Sequence, residues 1–440
     1  MTAYAEFLAR KAARAPEAGR SVDSHAAYPQ LRDWQAEIVD WAARVGRAAI
    51  WADTGLGKTF MQLAWLDQMS RPFHGLIVAP FAVCDQTANT EAPKLGIEVT
   101  YIRDRTEIRQ DYEGLYITNY EMLDRFDPAS FEAVVLDEAS ILKQSDGKMR
   151  KALIEWAKPI PYRLACTATP APNDPEELTN QAEFLGQSTR VNMLASYFVH
   201  DSDGWRVKGH AREPMMRWMA TWALAIRRPS DLGDYSDDGY DLPGLEIVPE
   251  IVATERDPED GALFVGAFEL GGVGGRAKVR RETLRARVER AAEIIAAEPD
   301  EPWLVWCGLN DEAELLANLT GGMNVHGSLS FEEKALGLRA FAEGSKRILI
   351  TKPSIASQGL NYQHCARMVF VGLDDSYEQY YQAIRRCYRF GQTRIVRAHV
   401  VLADIQSDIA ANVSNKETEA DRLTRELVAA MRAAREDNAA

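Results

Sequence analysis

The sequence lacks a cysteine framework. Its five cysteines, Cys84, Cys166, Cys307, Cys365 and Cys387, are scattered and form no CxxC pair. That spacing excludes a disulfide-built fold and a zinc module, and it fits a reducing compartment. A long apolar run is also missing, since the nearly unbroken stretch from Gly75 to Cys84 is too short to cross a bilayer. Residues 1–20 have no apolar core of the secretion-signal kind; rich in Ala and Arg, they read as a short exposed helix. Short-period repeats and low-complexity tracts are absent. There is no excess of positive charge either. The net charge is −14, so any nucleic-acid contact has to be a local patch. What remains is the composition of a soluble globular protein, with 46% apolar and 26% charged residues. Its 440 residues leave room for two or three domains. A cytoplasm or nucleoid is the expected location, with no membrane partner.

The most informative stretch is ADTGLGKT, Ala52 to Thr59. A short apolar run, Ala48 to Trp51, precedes it, and Phe60, Met61, Leu63, Ala64 and Leu66 follow at mostly helical spacing. Strand, glycine turn, helix is the setting of a phosphate-binding loop. Thr54, Gly55, Leu56 and Gly57 would form the turn, the glycines letting backbone N–H groups point inward. The following helix N-terminus favours negative charge. Lys58 would reach the β- and γ-phosphates and Thr59 would hold Mg²⁺ through its hydroxyl. Upstream, Leu31, Trp34, Ile38 and Trp41 mark an amphipathic helix over residues 28–41. Gln35 lies on that helix, a surface glutamine by itself and a candidate adenine reader beside such a loop.

Apolar runs recur downstream: LIVAP (76–80), YIT (116–118) followed by Asn119, AVVLDEAS (133–140) and YRLACTATP (162–170). Alternating with helical stretches, they predict a parallel sheet flanked by helices. A parallel strand ending in Asp137 and Glu138 delivers both acids to the C-terminal sheet edge. One carboxylate can hold Mg²⁺; the other can orient the water that attacks a γ-phosphate.

Met215, Trp218, Met219, Trp222 and Ile226 then lie at helical spacing, with the tryptophans read as packing residues. DLGDYSDDGYDLPG (231–244) reads as an exposed acidic linker. A second α/β unit follows, with strands expected at 247–252, 302–308, 324–326, 347–351, 367–372 and 399–402 and helices at 311–319, 331–342 and 376–388. Residues 276–290 carry Arg276, Lys278, Arg280, Arg281, Arg285, Arg287 and Arg290 against Glu282 and Glu289. This cluster is open between a solvated helix face and a phosphate-contacting patch. QAIRRCYRFGQ, Gln382 to Gln392, places Arg386 and Arg389 three apart, on one face of a helix if it is one. Planar, always-charged guanidinium groups suit a γ-phosphate; a basic nucleic-acid-binding helix is the alternative.

Taken together these segments resemble a superfamily 2 helicase of the DEAD/DEAH-box type, specifically its SWI/SNF-like DNA translocase branch, over roughly residues 28–405. LRDWQ resembles the adenine-reading motif, ADTGLGKT motif I, IVAP motif Ia, DEAS motif II, TATPAPN motif III, SIASQGLN motif V and QAIRRCYRFGQ motif VI. The resemblance implies two tandem RecA-like P-loop lobes, ATP and Mg²⁺ as ligands, and a DNA-stimulated ATPase that translocates mainly on duplex DNA. A strand-separating DNA or RNA helicase and a nucleotide-gated scaffold subunit are the alternatives. It implies an N-terminal extension (1–27), an ATP-binding lobe (28–186), a helical insertion with acidic linker (187–242), a helicase C-terminal lobe (243–412) and a charged terminal helix (413–440). Carried over by motif, Gln35, residues 54–59, Gly359, Arg386 and Arg389 bind ATP. Thr59 and Asp137 hold Mg²⁺. Lys58, Asp137, Glu138 and the two arginines, as fingers, carry catalysis. Pro80, Asn119, Thr167, Thr169, Ser357, Gln358 and Asn361 are expected to couple the nucleotide to DNA. Contacts would be to backbone phosphates, without sequence specificity. The compact form matches phage and bacterial members, with a nuclease, methyltransferase or replication protein as a possible partner. Two departures stand out. Ser140 replaces the usual histidine of motif II, and motif III reads TAT.

Overall fold

The computed structural model describes residues 17–109, 113–143, 147–172, 174–201, 204–252, 282–356, 361–373, 376–403, 418 and 421–433. Two compact units emerge, one running to Tyr240 and resuming at Thr418, the other spanning Asp241–Glu417.

The first unit is built on β1 (Arg47–Ala52), β2 (His74–Ala79), β3 (Val99–Tyr101), β4 (Gly114–Asn119), β5 (Ala133–Asp137) and β6 (Tyr162–Cys166). A small antiparallel hairpin pairs β7 (Phe198–Asp201) with β8 (Gly204–Val207), and β9 (Ala223–Ile226) returns to the main sheet. The seven-stranded sheet runs β3-β4-β2-β5-β6-β1-β9, and neighbouring strands pair in parallel throughout. Nearly every residue of β1, β2, β4 and β5 is buried, because helices cover both faces of such a sheet. One of them, α1 (Asp33–Val45), buries Trp34, Ile38, Val39 and Ala42 and stops at Gly46, whose φ of 74° is the left-handed cap that glycine supplies. Next comes α2 (Lys58–Ser70), whose core face holds Met61, Leu63, Trp65 and Leu66.

Three expectations change here. The helix read over 215–226 stops early: α3 (Arg212–Met219) ends, and Ala223–Ile226 pairs with β1 as β9. The residues expected to form a separate helical insertion thus complete the first sheet. Trp222 packs edge-on to Trp51 and Trp218, with ring centroids 5.8 and 5.3 Å apart, so these tryptophans do pack in the interior. Second, the acidic stretch folds back onto α1. Tyr235 donates to Glu37 at 2.6 Å and Tyr240 sits 6.0 Å from Trp34; two half-buried tyrosines outweigh the aspartates around them. Third, the terminal helix (421–433) is docked. Leu423, Leu427 and Met431 are buried, Arg212 pairs with Glu426 at 2.6 Å, and the Met431 sulfur accepts from Ala225 N–H at 2.9 Å. It covers β9, which would otherwise be a bare edge strand.

The second unit arranges β10 (Leu245–Val252), β11 (Trp303–Cys307), β12 (Met323–Val325), β13 (Ile348–Thr351), β14 (Arg367–Val371) and β15 (Val396–Ala403) in the order β10-β15-β14-β11-β13-β12, again parallel. Its helices include α4 (Leu284–Ala297), α5 (Asn310–Thr320), α6 (Phe331–Ala342) and α7 (Tyr377–Ile384). Val288, Ala291 and Ile295 of α4 pack with Trp303, Val305, Val369, Val371 and Val401 of the sheet.

Of the basic cluster, Arg287 is internal, while Arg285 is exposed and Arg290 partly exposed, both paired with acids. Arg287 is fully buried against the equally buried Glu312 at 2.8 Å and also donates to the Val371 carbonyl at 2.9 Å. Arg290 pairs with Glu250 at 2.9 Å and Arg285 with Glu289 at 2.8 Å. Arg276, Lys278, Arg280 and Arg281 lie outside the described residues.

Candidate active site

In the first sheet β6 lies between β1 and β5. The loop after Ala52, the acids after Leu136 and the threonines after Cys166 therefore leave one edge together, where α/β sheets bind ligands. Gly55 and Gly57 have φ of 87° and 73°, and α2 begins at Lys58. A Cβ on Gly57 would stand 2.4 Å from Gln35 Nε2. The loop therefore requires glycine there for its φ and for the approach of Gln35. Gln35 itself is buried and engaged at both ends. Its Nε2 donates to the Leu56 carbonyl at 2.9 Å, and its Oε1 accepts from Arg32 N–H at 3.0 Å. Thr54 N–H donates to the Asp53 carboxylate at 2.6 Å.

Lys58 Nζ donates to the Ala52 and Asp53 carbonyls at 2.7 and 3.2 Å, which folds the side chain back over the loop. Burial pushes its pKa down, while Glu138, Asp53 and Asp137 pull it up. Thr59 follows in the first turn of α2. Asp137 accepts from Gln62 Nε2 at 2.7 Å, and its backbone carbonyl accepts from the Tyr120 hydroxyl at 2.6 Å. Burial raises the Asp137 pKa above the ordinary carboxylate range; the Gln62 hydrogen bond lowers it and the Glu138 charge raises it. A carboxylate whose charge is disfavoured in this way gains by facing a cation. Among the described residues no group of three or more His, Cys, Asp or Glu gathers to cage a metal. Mg²⁺ held by one hydroxyl and one carboxylate, with substrate phosphate and water as its other ligands, needs no such cage.

Glu138 is the one non-glycine residue with positive φ among the described residues, at 59°. Its Oε1 accepts from Thr167 Oγ1 at 2.6 Å and from Ser140 Oγ at 2.9 Å. Thr169 N–H donates to Thr167 Oγ1 at 3.0 Å, so motif III braces motif II. Pro80 and Asn119 end the adjacent strands β2 and β4 on the same edge, and Asn119 Oδ1 accepts from Tyr101 at 3.1 Å.

In the second unit the helix expected over 376–388 ends at Ile384. Arg386 and Arg389 stand beyond it in successive tight turns, with Arg386 N–H on the Ala383 carbonyl at 3.2 Å and Gln392 N–H on the Arg389 carbonyl at 3.0 Å. They do not share a helix face. Arg386 Nε also donates to the Gln382 carbonyl at 3.3 Å. Asn361 is bonded to Gln363 on its own turn, at 3.1 and 3.3 Å. Ser357, Gln358 and Gly359 lie outside the described residues.

Residues 34–193 match the SNF2-related domain, and residues 286–391 match the helicase conserved C-terminal domain. The chain thus carries an SNF2-related domain followed by a helicase C-terminal domain. It is 22% identical to a Drosophila melanogaster SWI/SNF-related matrix-associated actin-dependent regulator of chromatin subfamily A-like protein 1, over 86% of this chain and 54% of that one. It is 28% identical to putative protein p41 of Acyrthosiphon pisum secondary endosymbiont phage 1, over 38% of this chain and 42% of that one. The chain thus spans about half the length of the curated relatives it matches. The solved structure of S. cerevisiae Dbp5 bound to RNA and ADP BeF3 aligns at a TM-score of 0.51 with 13% identity, covering 86% of this chain and 89% of that one. That likeness fixes the fold as tandem RecA-like lobes.

Two contributors to this SNF2-related site escape a motif reading. Gln62 and Tyr120 fix Asp137, and Gln62 was signalled only as an amide inside the apolar run Phe60–Leu66. In motif VI, Gly391 has φ 86°, and a Cβ there would meet Gln363 Oε1 at 2.4 Å. Gln392 donates to the Cys365 and Cys387 carbonyls at 3.0 and 3.2 Å, tying motif VI to the segment before β14. The Gly-Gln ending is thus a backbone staple. Among the described residues no helix is long and apolar enough to cross a membrane.

Proposed function

We propose that this SNF2-related chain hydrolyses ATP and uses the cycle to move along duplex DNA. The observation that carries the reading is the convergence, at one strand edge, of a glycine loop with Lys58 and a braced Asp137–Glu138–Thr167 set. The N–H groups at the start of α2, with Lys58, would hold the phosphates. Gln35 keeps the loop in shape, and its reading of the adenine edge is part of the proposal. Thr59 and Asp137 would hold Mg²⁺, which when bound neutralises phosphate charge. Glu138 would orient the attacking water and take its proton. Arg386 and Arg389 would complete the site from the second lobe as fingers. Pro80, Asn119, Thr167, Thr169, Ser357, Gln358 and Asn361 would relay the nucleotide state to backbone phosphates of DNA, and Gly359 would contact ATP.

The test is the ATPase rate with and without duplex DNA, in wild type and Lys58→Ala. Full turnover by Lys58→Ala would refute the site, and a rate indifferent to nucleic acid would refute the motor. A triplex-displacement assay beside a strand-displacement assay separates translocation from unwinding.

A further inference from the structure

We propose that Ser140, which stands where this branch usually has histidine, is a positioning residue for Glu138. With Thr167 it holds one carboxylate oxygen, so that the other is presented to the attacking water. The inference rests on the reading of Glu138 given above and adds to it a residue that no motif assigns.

The geometry is local and specific. Glu138 turns the chain at φ 59°, and Ile141 N–H closes the turn on the Glu138 carbonyl at 3.2 Å. This brings residue 140 back over the carboxylate two positions before it. The Ser140 and Thr167 hydroxyls both reach Oε1, at 2.9 and 2.6 Å. One donor comes from the turn itself and the other from beyond the end of the neighbouring strand β6. Two donors from different directions fix the plane of a carboxylate that one donor would leave free to swing.

Both hydroxyls are shielded, Ser140 being 2% and Thr167 0% exposed, so water does not compete for their bonds. Each is a hydrogen bond to a charged acceptor, the stronger kind. Thr167 is itself oriented by Thr169 N–H, so its hydroxyl is committed to donating toward Glu138. Serine suits the place by size, since its hydroxyl stays close to the backbone that turns back over the carboxylate. In this chain motif II therefore closes on itself within the first lobe.

The experiment uses the full chain with duplex DNA. It measures kcat and KM for ATP in wild type, Ser140→Ala and Ser140→Thr, together with the affinity for a fluorescent ADP analogue and the thermal midpoint. Ser140→Ala is expected to lose about tenfold in kcat, the size of one charge-assisted hydrogen bond. KM, ADP affinity and thermal midpoint should hold, and Ser140→Thr should restore kcat. The inference is overturned if Ser140→Ala keeps wild-type kcat, if its loss of kcat comes with a matching loss of nucleotide affinity or thermal midpoint, or if threonine fails to restore the rate. A wild type without ATP turnover is a different result: it removes the ATPase reading and this inference with it.

Discussion

In the first lobe the side chains of the motifs bond to one another across the strand ends, with Gln62 on Asp137 and both Thr167 and Ser140 on Glu138. In the second lobe the corresponding segments are held by their backbones. Gln392 grips two carbonyls, and Arg386 reaches a carbonyl of its own helix. The sheets are alike, yet one fixes the directions of its functional groups and the other fixes the path of the chain that carries them. The second lobe also places its best-buried charges, Arg287 and Glu312, inside its core. The difference teaches that one lobe fixes side-chain directions at its strand edge, while the other anchors the loop that carries Arg386 and Arg389.

The comparison can be broken most directly at its charged ends. Arg389→Ala is expected to lower turnover about 10³- to 10⁵-fold. Glu138→Gln is expected to lower it about 10²- to 10⁴-fold. Both should keep nucleotide affinity in a fluorescent-ADP titration. If Arg389→Ala left turnover intact, Arg389 would not be a finger.

Next in size is the buried pair. Arg287→Met leaves Glu312 charged in the core and should cost about 3–5 kcal/mol. Thermal unfolding with limited proteolysis should show the second lobe opening first, with nucleotide affinity of the first retained. A variant as stable as wild type would show that the Arg287–Glu312 pair does not hold the second lobe together.

Gly57→Ala follows, because the new Cβ meets Gln35 and the φ of 73° disfavours it. The expected cost is about 1–3 kcal/mol, with weaker ATP binding measured calorimetrically. The smallest effect is the pH response. On the proposed reading Asp137 would hold Mg²⁺ as a carboxylate, and burial raises its pKa, so Mg²⁺-dependent ADP binding should weaken as pH falls toward that raised value. Gln62→Ala removes the bond that lowers the pKa, and the weakening should then begin at higher pH. A shift the other way would contradict the role given to Gln62.

Much of this was legible in the residues. Apolar runs ending in proline, paired acids or threonines announced β2, β5 and β6 and what they deliver, because a strand buried on both faces has little freedom in composition. The misreadings have physical causes. Trp222 to Ile226 keeps a helical spacing with the methionines before it, and only pairing with β1 makes Ala223–Ile226 a strand. The partners of Arg287 and Arg290 lie far along the chain, at Glu312 and Glu250, so a local charge count could not find them. Arg386 and Arg389 follow helix-compatible residues, and the tight turns that part them after Ile384 leave no signal in the spacing.

The helix at 421–433 caps β9, so the last part of the first lobe is supplied by chain that follows the whole second lobe. During synthesis the nucleotide-binding lobe therefore waits, its edge strand uncovered, until the other lobe has left the ribosome.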